Sequence, residues 1–224
     1  MKKIIIYTSD DEIISYRIVK KIINYKKLKN YKFDIILSKP SFLRKIKVIL
    51  VIILSGSIFK FLNLYKKRIK KNEISKNKIR FITKTQKNYV FGISINYLKK
   101  IKLQKYKIYN FHLGNLKYQR GSFIFFYKYL KNWKNIFLTL HIIKKDFDKG
   151  KIVNEKKINL SRKTTPVDII DLYNNNSKFI YNSINQIFRK RKKLKIYSEY
   201  DQLHYVPSIT KIIINYLRLA MNNR

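Results

Sequence analysis

Two runs near the start of the chain, Lys3 to Thr8 (KIIIYT) and Phe33 to Ser38 (FDIILS), are apolar with almost no alternation. A strand with one wet face alternates, so runs of this kind need cover on both faces, as in a parallel sheet. Three more runs follow, Ile79 to Thr85, Tyr89 to Ile95 and Lys107 to His112. Ile136 to Lys144 and Ile152 to Leu160 read as alternating strands. Helical stretches lie between them. Ile13, Ile14, Ile18, Ile22 and Tyr25 form an apolar stripe after Asp10-Asp11-Glu12, acids that suit a helix start. Leu43 to Lys71 reads as helix with a break at Ser55-Gly56-Ser57, Tyr97 to Ile101 as a short helix, and Gly121 to Leu130 as an aromatic one. Thr165-Pro166-Val167-Asp168 is a capped start for a helix to about Arg189, and Ile209 to about Met221 is a terminal helix. The pattern predicts an α/β, Rossmann-like fold: a mostly parallel sheet with helices on both faces. Residues 1–188 are expected to form one domain and residues 189–224 a basic, helical extension.

Composition narrows the partners. The chain carries 52 Lys and Arg against 12 Asp and Glu, a net charge of +40. Lys, Ile, Asn and Tyr all have A/T-rich codons, yet so does Glu, and acids remain scarce. Codon bias explains part of this, and the charge reads either as compositional drift or as attraction to a polyanion such as nucleotides, RNA or an anionic membrane surface. There is no cysteine and only three histidines, so disulfides are excluded and no metal site is expected. Met1-Lys2-Lys3 and the following isoleucines lead into Asp10-Asp11 without a small-residue cleavage site, so a cytoplasmic protein is expected. The uncharged run from Val48 to Phe59 is too short to span a bilayer. It reads either as a helix buried against the sheet or as one that touches an anionic membrane, its flanking lysines snorkelling.

The chemistry concentrates in Lys107 to Gly121, KIYNFHLGNLKYQRG. In a period-2 strand Asn110 and His112 share a face. Asp148 follows in the turn Lys145-Asp146-Phe147-Asp148-Lys149-Gly150, the kind of place where open sheets bind ligands. Arg120 can bind a phosphate or fix its loop. His141, in mid-strand, reads as structural, and His204 has no partner visible in sequence. The basic run Arg189 to Lys195 reads as a solvated helix end.

Asn-x-His, a loop ending in Arg120-Gly121, then Thr139-x-His141 leading into Asp148-x-Gly150, resembles the folate-dependent formyltransferase family. Leu116 is also in register, and Ser94-Ile95-Asn96-Tyr97 is similar to that family's element before the catalytic strand. Leu113-Gly114-Asn115 and Lys117 replace the family's proline-containing segments, so a less rigid loop is expected. The resemblance implies transfer of a formyl group from 10-formyltetrahydrofolate to an amine, without a metal. It implies Asn110, His112 and Asp148 as catalytic residues, with Asn110 and a protonated His112 donating to the oxyanion. Asp148 would raise the imidazole pKa and help move the amine proton. It also implies a folate site at Ile95, Tyr97, Asp146 and Asp148, with Arg120 and Gly121 in the substrate loop. The turn Thr8-Ser9-Asp10-Asp11 lacks the Gly-rich loop of glycinamide ribonucleotide formyltransferases. The stretch after Phe188 is short for the RNA-binding domain of methionyl-tRNA formyltransferases. An amino sugar of a sugar nucleotide is then the expected acceptor. The alternatives are a methionyl-tRNA formyltransferase-like enzyme without that domain, and a non-catalytic RNA- or membrane-binding protein on the same scaffold.

Overall fold

The structure, a computed structural model, describes residues 2–74, 78–86, 88–102, 104–131, 133–144, 148–189, 194–201 and 203–222. Asp146 and residues 190–193 of the basic run lie outside the described residues. The elements are β1 (Lys3–Ser9), α1 (Ser15–Ile23), β2 (Lys32–Ser38), α2 (Phe42–Leu54), α3 (Ile58–Lys66), β3 (Ile79–Phe81), β4 (Phe91–Ile95), β5 (Ile108–Leu113), α4 (Ile124–Leu130), β6 (Asn135–Ile142), β7 (Ile152–Asn159), α5 (Pro166–Asn175), α6 (Ser177–Phe188) and α7 (Ile209–Asn222).

The strands form one sheet in the order β3-β2-β1-β4-β5-β6-β7. β1 to β5 pair in parallel, and β6 and β7 are antiparallel. The chain is thus α/β with a mostly parallel sheet, as its apolar runs require. The runs that form β1, β2 and β4 are buried on both sides, whereas β3 is a largely exposed edge strand. In β1, Ile4 and Ile6 join α1 (Ile18, Ile22) and α6 (Ile180, Ile184) in the main core. Ile5 and Tyr7 face the other way, with Ile36 and Ile108.

That second face differs from expectation. The residues packed on it, among them Tyr89, Tyr97, Ile101, Tyr106 and Ile143, come from connecting segments and not from helices. Residues 97–101 are irregular where a short helix was expected. Asn96, at φ 49°, turns the chain out of β4 in the left-handed region, so no helical cap forms there. Apolar side chains on an otherwise lysine-rich loop supply the cover instead.

The long helical stretches divide where small or capping residues allow. Ser55-Gly56-Ser57 separates α2 from α3. Asn176 separates α5 from α6 where one helix was expected. Thr165 caps α5 by accepting from the Asp168 N–H, and Asp168 returns a carboxylate to the Thr165 N–H at 2.7 Å. α2, α3 and α7 form an outer layer. Val51, Phe126, Ile212 and Tyr216 pack together there, as do Ile52, Leu64 and Ile170.

The short edge strand β3 is held by a buried carboxylate. Asp34 on β2 accepts from Arg80 at 2.9 and 3.0 Å and from the Tyr89 hydroxyl at 2.6 Å. Arg80 and Tyr89 together hold the Asp34 pKa below its ordinary value despite burial. Replacing Asp34 with Ala orphans the Tyr89 hydroxyl and one side of Arg80. A loss of about 1–3 kcal/mol in urea unfolding is expected; an unchanged midpoint would contradict it.

Candidate active site

β5 and β6 pair so that Asn110 lies opposite His141 and His112 opposite Thr139. All four point to the same face, because the side-chain period along each strand is two. This register places two imidazoles and a carboxamide together before any loop contributes. The His112 and His141 rings are 6.2 Å apart and nearly perpendicular.

Asp148 completes the group. Its turn joins the antiparallel strands β6 and β7, and is not a turn at the carboxyl end of a parallel strand as the sequence pattern had implied. Asp148 itself is left-handed, φ 46°, a conformation Asp tolerates better than most residues. Its Oδ1 is 3.3 Å from Asn110 Nδ2, 3.6 Å from His112 Nδ1 and 3.7 Å from His141 Nε2. Its Oδ2 accepts from the Gly121 N–H at 2.8 Å. Burial alone would raise this carboxyl's pKa. The charge that the His112 and His141 rings carry when protonated, with the Gly121 N–H, outweighs burial and holds Asp148 well below the usual carboxylate range.

Gly121 serves here because nothing larger fits. Its φ is 101°, and a Cβ would stand 2.1 Å from the His204 carbonyl oxygen. That close approach belongs to a bridge between residues 121 and 204: His204 N–H donates to the Arg120 carbonyl and Ser122 N–H to the His204 carbonyl. His204 also stacks on Tyr127 at 4.4 Å, which ties residues 203–205 to the site wall.

The loop after His112 is fastened by hydrogen bonds. Gln119 Oε1 accepts from Asn115 N–H, Gln119 Nε2 donates to the Asn135 carbonyl, and Asn115 Nδ2 donates to Tyr197 and Glu155. Asn115 and Gln119 are both buried. Buried amides thus fasten this loop, where a less rigid one was expected. Gly114, at φ 144°, leaves the room in which His112 Nε2 donates to the Gln119 carbonyl at 2.8 Å.

This bond assigns the imidazole tautomer: Nε2 carries hydrogen and Nδ1 has the lone pair. Burial pushes the His112 pKa down and outweighs the pull of Asp148, so the resting ring is neutral. The sequence reading had the carboxylate raising it; burial is the larger effect.

The remaining expected residues separate. Tyr97 lines a cleft of about 440 Å³ across the carboxyl ends of β4 and β5, together with Asn110, His112, Gly121, His141 and Asp148. The Ile95 side chain points into the main core, and its carbonyl accepts from Thr8 Oγ1 at 3.0 Å. Arg120 donates to the Asp201 carbonyl at 2.8 Å and lies over Tyr200, so it fastens the loop beside the cleft. Two contributions escaped the sequence reading. His141, taken as structural, lies 3.1 Å from Asn110 Nδ2; the legible signal was its Thr-x-His pairing opposite Asn-x-His. Arg44 of α2 lines the cleft and stacks on Phe123 at 5.1 Å, with Lys99, Lys100 and Lys144 also on the wall. Nothing in the order of residues marked Arg44. Among the described residues, no cluster of three His, Asp or Glu is arranged to hold a metal ion.

No protein-family model and no curated protein sequence matches the chain. Solved structures do. The N-formyltransferase from Helicobacter canadensis, crystallised with folinic acid and dTDP-3-aminofucose, superposes with a TM-score of 0.64. Identity is 18%, over 92% of this chain and 71% of that one. A 4-N formyltransferase from Francisella tularensis gives 0.59 at 16% identity, over 97% and 87%. The methionyl-tRNA formyltransferase from Clostridium thermocellum gives 0.53 at 12%, over 97% and 82%.

The neutral imidazole makes a direct test possible. Nuclear magnetic resonance should show His112 titrating below its ordinary value of 6.5. Asp148→Asn, which removes the charge that pulls the pKa up, should move the midpoint lower still. A midpoint above 6.5 in the parent protein would contradict the assignment. The chain therefore has the fold of the formyltransferases, on which the Asn110–His112–His141–Asp148 cluster sits at the floor of an open cleft.

Proposed function

We propose that this chain is a folate-dependent N-formyltransferase. The observation that carries the reading is the convergence of Asn110, His112 and Asp148 around one cleft. Asp148 lies more than thirty residues from Asn110 and His112, and apolar packing alone would not gather an amide, an imidazole and a carboxylate around one cleft. The cleft volume is in the range of small-molecule sites. Its walls are mixed: Tyr97, Leu98, Ile101 and Ile143 on one side suit a flat heterocycle, and Arg44 with the lysines suits an anion.

When bound, 10-formyltetrahydrofolate supplies an electrophilic formyl carbon. The chain's own groups do the rest. His112 Nδ1, with its lone pair free, takes the proton that the attacking amine must lose. The ring then has a hydrogen on each nitrogen, one held by the Gln119 carbonyl and one beside Asp148 Oδ1. The buried carboxylate stabilises that cation where water cannot. The imidazolium would then give its proton to the departing folate nitrogen as the bond between that nitrogen and the formyl carbon breaks, which would release tetrahydrofolate and return the ring to neutral. The Asn110 amide exchanges its 3.3 Å contact with Asp148 for the formyl oxygen as that oxygen gains charge. His141 holds the other Asn110 hydrogen and so orients the amide.

The acceptor is read as an amino sugar carried on a nucleotide. The cations at the cleft support a phosphorylated acceptor. The Helicobacter canadensis enzyme, crystallised with dTDP-3-aminofucose, has the same fold. The Clostridium thermocellum enzyme has it too, so the acceptor is the finer part of the proposal.

Purified protein incubated with 10-formyltetrahydrofolate and dTDP-linked 3- or 4-amino sugars should release tetrahydrofolate; no release with any of them would overturn the reading. Asn110→Ala should lower kcat by about 10²–10³, as for loss of an oxyanion donor. His112→Ala should lower it by about 10²–10⁴. Both should keep the parent circular dichroism spectrum. Near-normal rates in either would show that the cluster is not the reacting centre.

A further inference from the structure

α2, α3 and α7 are apolar on both sides. Their inner stripes, Val51 and Ile52 of α2, Leu64 of α3, Ile212 and Tyr216 of α7, pack into the protein. Their outer stripes should then be polar, as on most surface helices. They are not. On α2, Phe42, Ile49 and Ile53 recur at helical spacing and face solvent, with Phe42 79% exposed. On α3, Phe59 and Leu62 do the same, with Phe59 78% exposed. On α7, Ile214, Leu217 and Met221 continue the pattern, with Met221 74% exposed. α2 packs against both α3 and α7, so the three helices share one outer layer. Exposed apolar surface on this scale marks a site of contact.

The charges around it choose the partner. None of the three helices contains an acid, and Lys45, Lys66, Lys211 and Arg218 stand exposed among the apolar residues. A second copy of this chain would bring an identical cationic face and another +40 of charge against the first. An anionic surface with an apolar interior complements both features, and long cationic side chains can keep their heads among headgroups while their stems lie along the apolar layer. Among the described residues no helix is long and apolar enough to cross a membrane, and α2, α3 and α7 have 13, 9 and 14 residues. We infer that this face lies in the headgroup layer of a bilayer rich in anionic phospholipid, with Phe42, Phe59, Leu217 and Met221 inserted. Arg44 of α2 lines the cleft, so the site would open beside the membrane.

Sedimentation of the full chain with vesicles tests this. Binding is expected to phosphatidylcholine vesicles containing phosphatidylglycerol, and not to pure phosphatidylcholine vesicles. Phe42→Ser/Phe59→Ser/Leu217→Ser should weaken that binding on the order of tenfold or more, because the apolar insertion is lost. Its circular dichroism and melting temperature should match the parent. Lys45→Gln/Lys66→Gln/Lys211→Gln/Arg218→Gln should weaken it too, and more at low salt than at high. Vesicle binding unaffected by the apolar triple substitution would overturn the inference, since lysines alone would then explain it. So would absence of vesicle binding, whether the protein is instead a dimer dissociated by the triple substitution or binds single-stranded RNA in a salt-dependent way.

Discussion

The register between β5 and β6 is the constraint on which the site depends. With Asn110 opposite His141 and His112 opposite Thr139, one sheet face carries the amide and both rings. A slip of one residue in either strand would turn that strand's share of these side chains into the main core. The register is secured away from the chemistry. On the opposite face of the same strands, Tyr109, Phe111, Leu138 and Leu140 are buried in that core. Thr139 Oγ1 donates to the Gly114 carbonyl and anchors the start of the loop that holds His112. Apolar packing on one side of the sheet therefore sets polar geometry on the other.

Asp148 is where burial and charge are balanced. An ionised carboxylate this enclosed is costly unless it is hydrogen-bonded. Here the Gly121 N–H and the Asn110 amide donate to it. The same enclosure keeps His112 neutral at rest. A carboxylate that is charged beside a ring that is not leaves the pair ready to accept one proton. The covering of this face by loops, and not by a helix, leaves that pair accessible from the cleft.

The fold class was legible because it follows from which residues must be buried. Runs such as KIIIYT have few alternatives to a central parallel strand. The convergence of Asn110, His112 and Asp148 was legible from motif order, and strand periodicity explains the first two. Other features depend on tertiary contacts that no local pattern carries. His141 looked structural because a lone mid-strand histidine gives no sign of its cross-strand partner. The lowered His112 pKa depends on burial, which outweighs the nearby charge on which a sequence argument rests. Ile95 shows the limit of motif transfer: the motif places the segment at the site, while the strand's alternation turns that side chain inward. Residues 97–101 carry apolar spacing that fits a helix, but Asn96 sends the chain out of β4 in a left-handed turn.

A folate site in the cleft beside Asn110, His112 and Asp148 would bind reduced folates directly. Equilibrium titration with folinic acid, the ligand present in the Helicobacter canadensis crystal, tests this without requiring the acceptor to be known. Saturable one-to-one binding is expected, with resonances of Tyr97, Ile143 and His112 shifting as the cleft fills. Absence of binding, or shifts confined to residues away from the cleft, would contradict it.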